Sequence, residues 1–187
     1  MKHPERIELA PGYSISRIIT GLWQVADIEK EDGSMDLGPA ASALVDYAES
    51  GFDTFDMADH YGSAELIAGH ARRKMQENDS ANRPSSQARF HTKWCPKPGE
   101  MTPQKVREGV LLSAERLDME QIDLMQFHWW NYEHPQYLDA MEGLRALKEE
   151  GIIRHLGLTN FDTDHLHLLL QEGVPIISNQ VVVSLLD

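Results

Sequence analysis

An α/β fold built on a parallel sheet is predicted from three observations. Short apolar runs alternate with longer amphipathic runs along the chain. The amphipathic runs carry apolar residues at helical spacing, and three of them stop at a glycine (Gly51, Gly151, Gly173). The alternation repeats about six times, and repeated strand–helix units return the chain to the same end of a sheet, which makes successive strands parallel.

The elements follow in order. Arg17 to Leu22 reads as the first strand. Pro39 to Ser50 reads as a helix, with Ala40, Ala41, Leu44, Val45 and Ala48 on one face. Thr54 to Met57 is a short strand, and Ser63 to Met75 a helix with Ser63 as its N-cap. Ala88 to Lys93 is a strand, then Thr102 to Leu117 a helix in which Thr102 and Pro103 form cap and first turn. Ile122 to His128 and Ile153 to Thr159 are strands flanking a helix from Gln136 to Glu150. Thr163 to Glu172 is the last helix, and Ile176 to Val182 the sixth strand. Asp27 to Gly38 and Glu77 to Gln87 are polar loops. A doubly wound open sheet and a (β/α)₈ barrel both fit this pattern. The first turn lacks G-x-G-x-x-G, which weighs against the dinucleotide-binding form of the open sheet. No domain boundary is visible.

The 187 residues are 41% hydrophobic, which supports a sizeable core. Thirty acidic against 17 basic residues give a net charge of −13, which opposes non-specific nucleic-acid or anionic-membrane binding. No stretch approaches the roughly 18 apolar residues of a membrane span. The opening, Met1 to Leu9, is polar and charged, without a signal-like apolar region. The single cysteine, Cys95, excludes an intrachain disulfide and fits a reducing compartment. A soluble, cytoplasmic protein is expected.

Reactive groups in a parallel βα array sit at the C-terminal ends of strands. Read in order, those ends offer Trp23, then Asp56 with Tyr61 beyond it, Lys93, His128 with Trp129 and Trp130, and Thr159 with Asn160, while the sixth strand carries Asn179 and Gln180. A phenol, ammonium, carboxylate and imidazole make a proton-transfer set. A free phenol, with a pKa of about 10, is too weak an acid near neutrality, and a neighbouring ammonium lowers that value. Histidine spacing offers no metal pattern: His165 and His167 do not share a helix face, and no metal-ligand spacing joins His128 or His134 to another candidate ligand. Cys95 is read as packing, and Glu115-Arg116 and Lys148-Glu149-Glu150 as solvated helix faces.

The segment Gly51-Phe-Asp-Thr-Phe-Asp56-Met-Ala-Asp-His-Tyr61-Gly-Ser-Ala-Glu65 resembles the second-strand signature of the aldo-keto reductases. Three further pieces resemble the family in order: His91-Thr-Lys93, Ile122 to His128, and Ile153 to Phe161. Arg17 to Gln24 is similar to its first barrel strand. The resemblance implies a (β/α)₈ barrel and NADPH-dependent exchange between carbonyl and alcohol on a small molecule. It implies Tyr61 as general acid or base, Lys93 and Asp56 as its tuners, and His128 as the group orienting the carbonyl. Asn160 and Gln180 would bind the nicotinamide carboxamide, with Thr159 where the family usually has serine. Trp23, Trp129 and Trp130 would line the substrate pocket. A full barrel takes about 250 residues. Residues 1–187 would therefore hold about six βα units of an incomplete barrel and lack the last two, where the family binds the cofactor's phosphates. The alternative expectation is a catalytically inactive truncated product, or a fragment that associates through its exposed sixth strand, where Val181, Val182 and Val183 with Leu185 and Leu186 carry no protecting charge.

Overall fold

The computed structural model describes residues 4–26, 36–77 and 87–185. Most of both polar loops, residues 27–35 and 78–86, lies outside the described residues. A parallel sheet runs in the order β3-β4-β5-β6-β7-β8, formed by Thr20–Gly21, Thr54–Asp56, Arg89–Trp94, Ile122–His128, Ile153–Thr159 and Ile176–Gln180. A two-stranded sheet, β1 (Arg6–Ala10) and β2 (Tyr13–Ser16), precedes it. The helices are α1 (Leu37–Glu49), α2 (Ala64–Glu77), α3 (Pro103–Leu117), α4 (Tyr137–Glu149) and α5 (Thr163–Gln171). A doubly wound sheet reverses its strand order at a switch point. This order never reverses, which resolves the choice left open by periodicity in favour of an incomplete (β/α)₈ barrel of six strands and five helices. No described helix is long and apolar enough to cross a membrane.

The chain divides into two compact units, Met1–Thr92 with Ser113–Glu120, and Lys93–Leu112 with Gln121–Asp187. In the first unit, the β1–β2 hairpin is an element the sequence reading did not contain. Its signal was Pro11-Gly12 between alternating Ile7, Leu9, Tyr13 and Ile15. Gly12 takes the left-handed conformation (φ 70°), and its N–H donates to Glu8 Oε1 at 2.7 Å. The hairpin is clamped on β4 and β5 by polar contacts. Arg6 pairs with the buried Asp53 carboxylate at 2.5 Å. Tyr13 Oη and His91 Nε2 lie 2.9 Å apart in the core, and the Ser16 N–H donates to Thr54 Oγ1 at 3.0 Å.

These contacts also shorten the first expected strand. Arg17 N–H donates to Glu5 O and Ser16 Oγ–H to Ile18 O, so only Thr20 and Gly21 remain to pair with Phe55 and Asp56. Helix α1 begins two residues before Pro39, capped by Asp36, whose side chain accepts from the Gly38 N–H at 2.9 Å. It buries Ala41, Leu44 and Ala48. Gly51, at φ 89°, ends it in the left-handed conformation that a side chain would resist. Helix α2 meets α1 through the Lys74–Ser42 hydrogen bond, and Gly69 lets it approach the C-terminal turn of α3. A Cβ on Gly69 would lie 2.3 Å from Arg116 O.

In the second unit, every residue of β6 is buried. It pairs in register with β7 from Ile122↔Ile153 to His128↔Thr159, and β7 pairs with β8 at Leu158↔Asn179 and Thr159↔Gln180. Helix α4 covers the strands with Tyr137, Ala140, Met141, Leu144 and Leu147. Strand β8 stops at Gln180, short of the expected Val182. Val181, Val182, Val183 and Leu185 are exposed beyond it.

Arg6→Ala is expected to destabilise the protein by about 2–4 kcal/mol, because it leaves the Asp53 carboxylate buried without its cation. Urea unfolding of wild type and variant measures this; a loss within about 0.5 kcal/mol, the scale of surface changes, would show that the buried Asp53 carboxylate does not depend on Arg6.

Candidate active site

In the first unit, Asp56 is the last residue of β4, half-buried, and its carbonyl accepts the Leu22 N–H at 2.9 Å. Tyr61 lies in the following loop, whose own backbone closes around it. The Tyr61 N–H donates to Ala58 O at 3.1 Å, and the Ala64 N–H to Tyr61 O at 2.9 Å, leading into α2. The Tyr61 ring stands edge-on to Trp23, with centroids 4.5 Å apart, and to His60 at 4.8 Å. Trp23 and Tyr61, expected in one site, are therefore brought together.

Beneath this loop sits Glu65, in the first turn of α2 and only 1% exposed. It accepts the Thr92 hydroxyl at 2.6 Å and pairs with Arg116 at 3.2 Å. Burial pushes its carboxyl above the ordinary value, against the hydrogen bonds from Thr92 and Arg116 that lower it. The expected solvated face at Glu115-Arg116 is half right: Glu115 faces solvent, whereas Arg116 turns inward to Glu65. Residue spacing along α3 does not show this, because the carboxylate that draws Arg116 inward is 51 positions away.

In the second unit, Lys93 is the penultimate residue of β5 and 3% exposed. A lysine is seldom buried so deeply unless its ammonium is paired. His128, last in β6, is buried with its ring over the exposed Trp130, centroids 3.9 Å apart. Trp129 is a core residue, packed on Phe127 and donating its indole N–H to Asn131 O at 2.8 Å and His134 O at 3.0 Å. Thr159 ends β7, 6% exposed, and its hydroxyl has no hydrogen-bond partner. Asn160 follows in the left-handed conformation (φ 55°), its N–H donating to Gln180 O at 2.8 Å. Asparagine is one of the few residues that take this conformation readily. Asn179 fixes the next residue: its side chain donates to Phe161 O at 2.8 Å and accepts the Phe161 N–H at 3.2 Å. Sequence reading placed Asn179 on the strand without a task; its positioning role appears only with the β7–β8 register.

Polar groups at the ends of successive parallel strands are the arrangement by which (β/α) barrels present an active site. The family model described as Aldo/keto reductase family matches residues 17–187, and the chain belongs to that family. Among its relatives, methylglyoxal reductase DkgA of Escherichia coli O157:H7 is 29% identical over 182 residues, covering 97% of this chain and 58% of its own length. The chloroplastic pyridoxal reductase of Arabidopsis thaliana is 29% identical over 148 residues, covering 74% of this chain and 40% of its own. The chain thus spans less than two thirds of these relatives. Among solved structures, a thermostable aldo-keto reductase in complex with epalrestat superposes with TM-score 0.81 at 22% identity, over 98% of this chain and 64% of that one. A Bombyx mori aldo-keto reductase in complex with NADP gives TM-score 0.76 at 19% identity, over 98% and 59%.

A raised carboxyl contributes stability that is complete below its unfolded value, 4.5 for Glu65, and is lost as pH rises through the higher folded value. The stability of wild type relative to Glu65→Gln should therefore fall between about pH 4 and about pH 7. Urea unfolding of both proteins at the two pH values tests this, and a difference that does not change with pH would contradict it.

Proposed function

We propose that this chain carries the catalytic residues of an NADPH-dependent interconversion of a carbonyl and an alcohol. The observation that carries the reading is positional. Asp56, His128, Thr159 and Gln180 each end their strand, Lys93 is one residue short of its strand's end, and Tyr61 lies in the loop after β4. These are the places where this architecture keeps its chemistry.

Tyr61 then gives its phenolic proton to the carbonyl oxygen of the substrate, and takes it back in the oxidative direction. Lys93 supplies the cation that lowers a phenol's pKa, and Asp56 the carboxylate that holds an ammonium in its charged form. His128 donates a hydrogen bond that orients the carbonyl oxygen. Trp23, exposed beside Tyr61, and Trp130, exposed beside His128, are the side chains this reading assigns to the substrate, with Trp129 packed in the core behind Trp130.

The unpartnered, buried Thr159 hydroxyl, with Asn160 and Gln180 adjoining it, suits the amide of a nicotinamide, which offers both a donor and an acceptor. Bound NADPH supplies the hydride. Methylglyoxal is the substrate to assay first, since several relatives are named for it. The cytoplasm, with its reduced cofactor pool and reduced thiols, is the compartment proposed. A second reading, self-association through the segment after β8, rests on the exposure of Val182 and Val183. A monomer by light scattering would dismiss it.

Titration of the four tryptophans by NADPH should show saturable quenching in the micromolar range, and Tyr61→Phe should retain that binding while losing turnover by roughly 100-fold or more. Absence of quenching up to millimolar NADPH, or full turnover in Tyr61→Phe, would remove the proposal.

A further inference from the structure

We infer that Arg116, anchored by the buried carboxylate of Glu65, is a positioning residue for Tyr61, fixing the backbone of the loop that carries the phenol. This rests on the reading of Tyr61 as the proton donor. A single guanidinium nitrogen, Arg116 Nη1, donates to Glu65 Oε2 at 3.2 Å and to Asp59 O at 3.1 Å. Asp59 lies two residues before Tyr61, inside the loop between β4 and α2. The guanidinium therefore ties a loop carbonyl to the core of the unit.

The anchor is itself fixed. Glu65 is held by the buried Thr92 hydroxyl, and the carbonyl of Arg116 sits against Gly69, where a Cβ would come within 2.3 Å. One turn on, Arg72 of α2 donates to the Asp118 carbonyl. Helix α3 therefore cannot slide along α2 without breaking these contacts, and the guanidinium is presented at a set height beneath the loop.

A tie between two helices would need only the ion pair. Two features point further. The arginine reaches past Glu65 to the Asp59 carbonyl, which lies inside the turn closed by the Tyr61 N–H to Ala58 O bond, and the next turn is closed by the Ala64 N–H to Tyr61 O bond. The buried carboxyl is also kept although burial disfavours its charged form. A proton donor must sit within a few tenths of an ångström of its productive place, so displacement of the loop reaches the rate directly.

The test uses the full chain labelled with ¹³Cζ-tyrosine. It has five tyrosines, and Tyr61→Phe identifies the Tyr61 resonance. Arg116→Met, which keeps length and loses the donors, should move the Tyr61 resonance and weaken its nuclear Overhauser contact to the Trp23 indole. The other four resonances should stay in place. Turnover should fall roughly 10- to 100-fold in kcat with KM little changed, and Arg116→Lys should recover part of each effect. An unmoved Tyr61 resonance with its Trp23 contact intact in folded Arg116→Met would overturn the inference. Should Arg116→Met not fold, Arg116→Lys is read alone, and wild-type values for both signals would overturn it equally. The resonance readouts do not depend on activity. A wild-type chain without turnover would count against the proposed function, while the Tyr61 signals would still decide the role of Arg116.

Discussion

Register in a parallel sheet is the constraint on which the candidate site depends. Side chains alternate between faces, so a slip of one residue exchanges every inward group for an outward one. The pairings His128↔Thr159 and Thr159↔Gln180 put three polar strand-end residues side by side on one face. Beneath them, Gln126↔Gly157 continues the row, and Gly157 is the residue that leaves room for it. A Cβ there would meet Ser178 Oγ at 2.5 Å. Hydrophobic burial holds this register. Strand β6 is buried on both faces, so a slipped pairing would bring its polar and apolar residues into mismatched neighbours along seven positions.

Several buried or half-buried polar groups are satisfied in a way that fixes a backbone. Asp53 with Arg6 fastens the amino-terminal hairpin. Asn179 pins both polar groups of the Phe161 peptide, which steadies Asn160 in its left-handed conformation. Glu65 with Thr92 and Arg116 holds the base of the Tyr61 loop. Burying such groups gives little net stability, because desolvation offsets most of the electrostatic gain. What they add is a single geometry, and an apolar core of the same volume would leave the loops after the strands free to vary.

The exposed Trp23 and Trp130 contrast with the buried Trp129, which immediately precedes Trp130 in sequence. Consecutive residues leaving a strand point opposite ways. Trp129 therefore turns into the core and spends its N–H on backbone carbonyls, while Trp130 lies over the His128 ring in solvent. A pair of adjacent aromatic residues thus divides between core packing and exposed surface.

The sequence by itself determined the βα alternation, two strands to the residue (Ile122–His128 and Ile153–Thr159), the helices to within two residues, the strand-end placement of Asp56, His128 and Thr159, and the place of Lys93 to within one residue of its strand's end. These are local matters: periodicity, caps and glycine stops act over a few residues, and a motif records the side chains it contains. Tertiary structure alone decided the unreversed strand order, the short β3, the early end of β8, and the inward turn of Arg116. Each of those depends on a partner distant in sequence. Arg17 follows the hairpin to Glu5, and Arg116 follows a carboxylate on another helix. No local spacing encodes such a partner, because the free energy that selects it arises only when the segments are packed together.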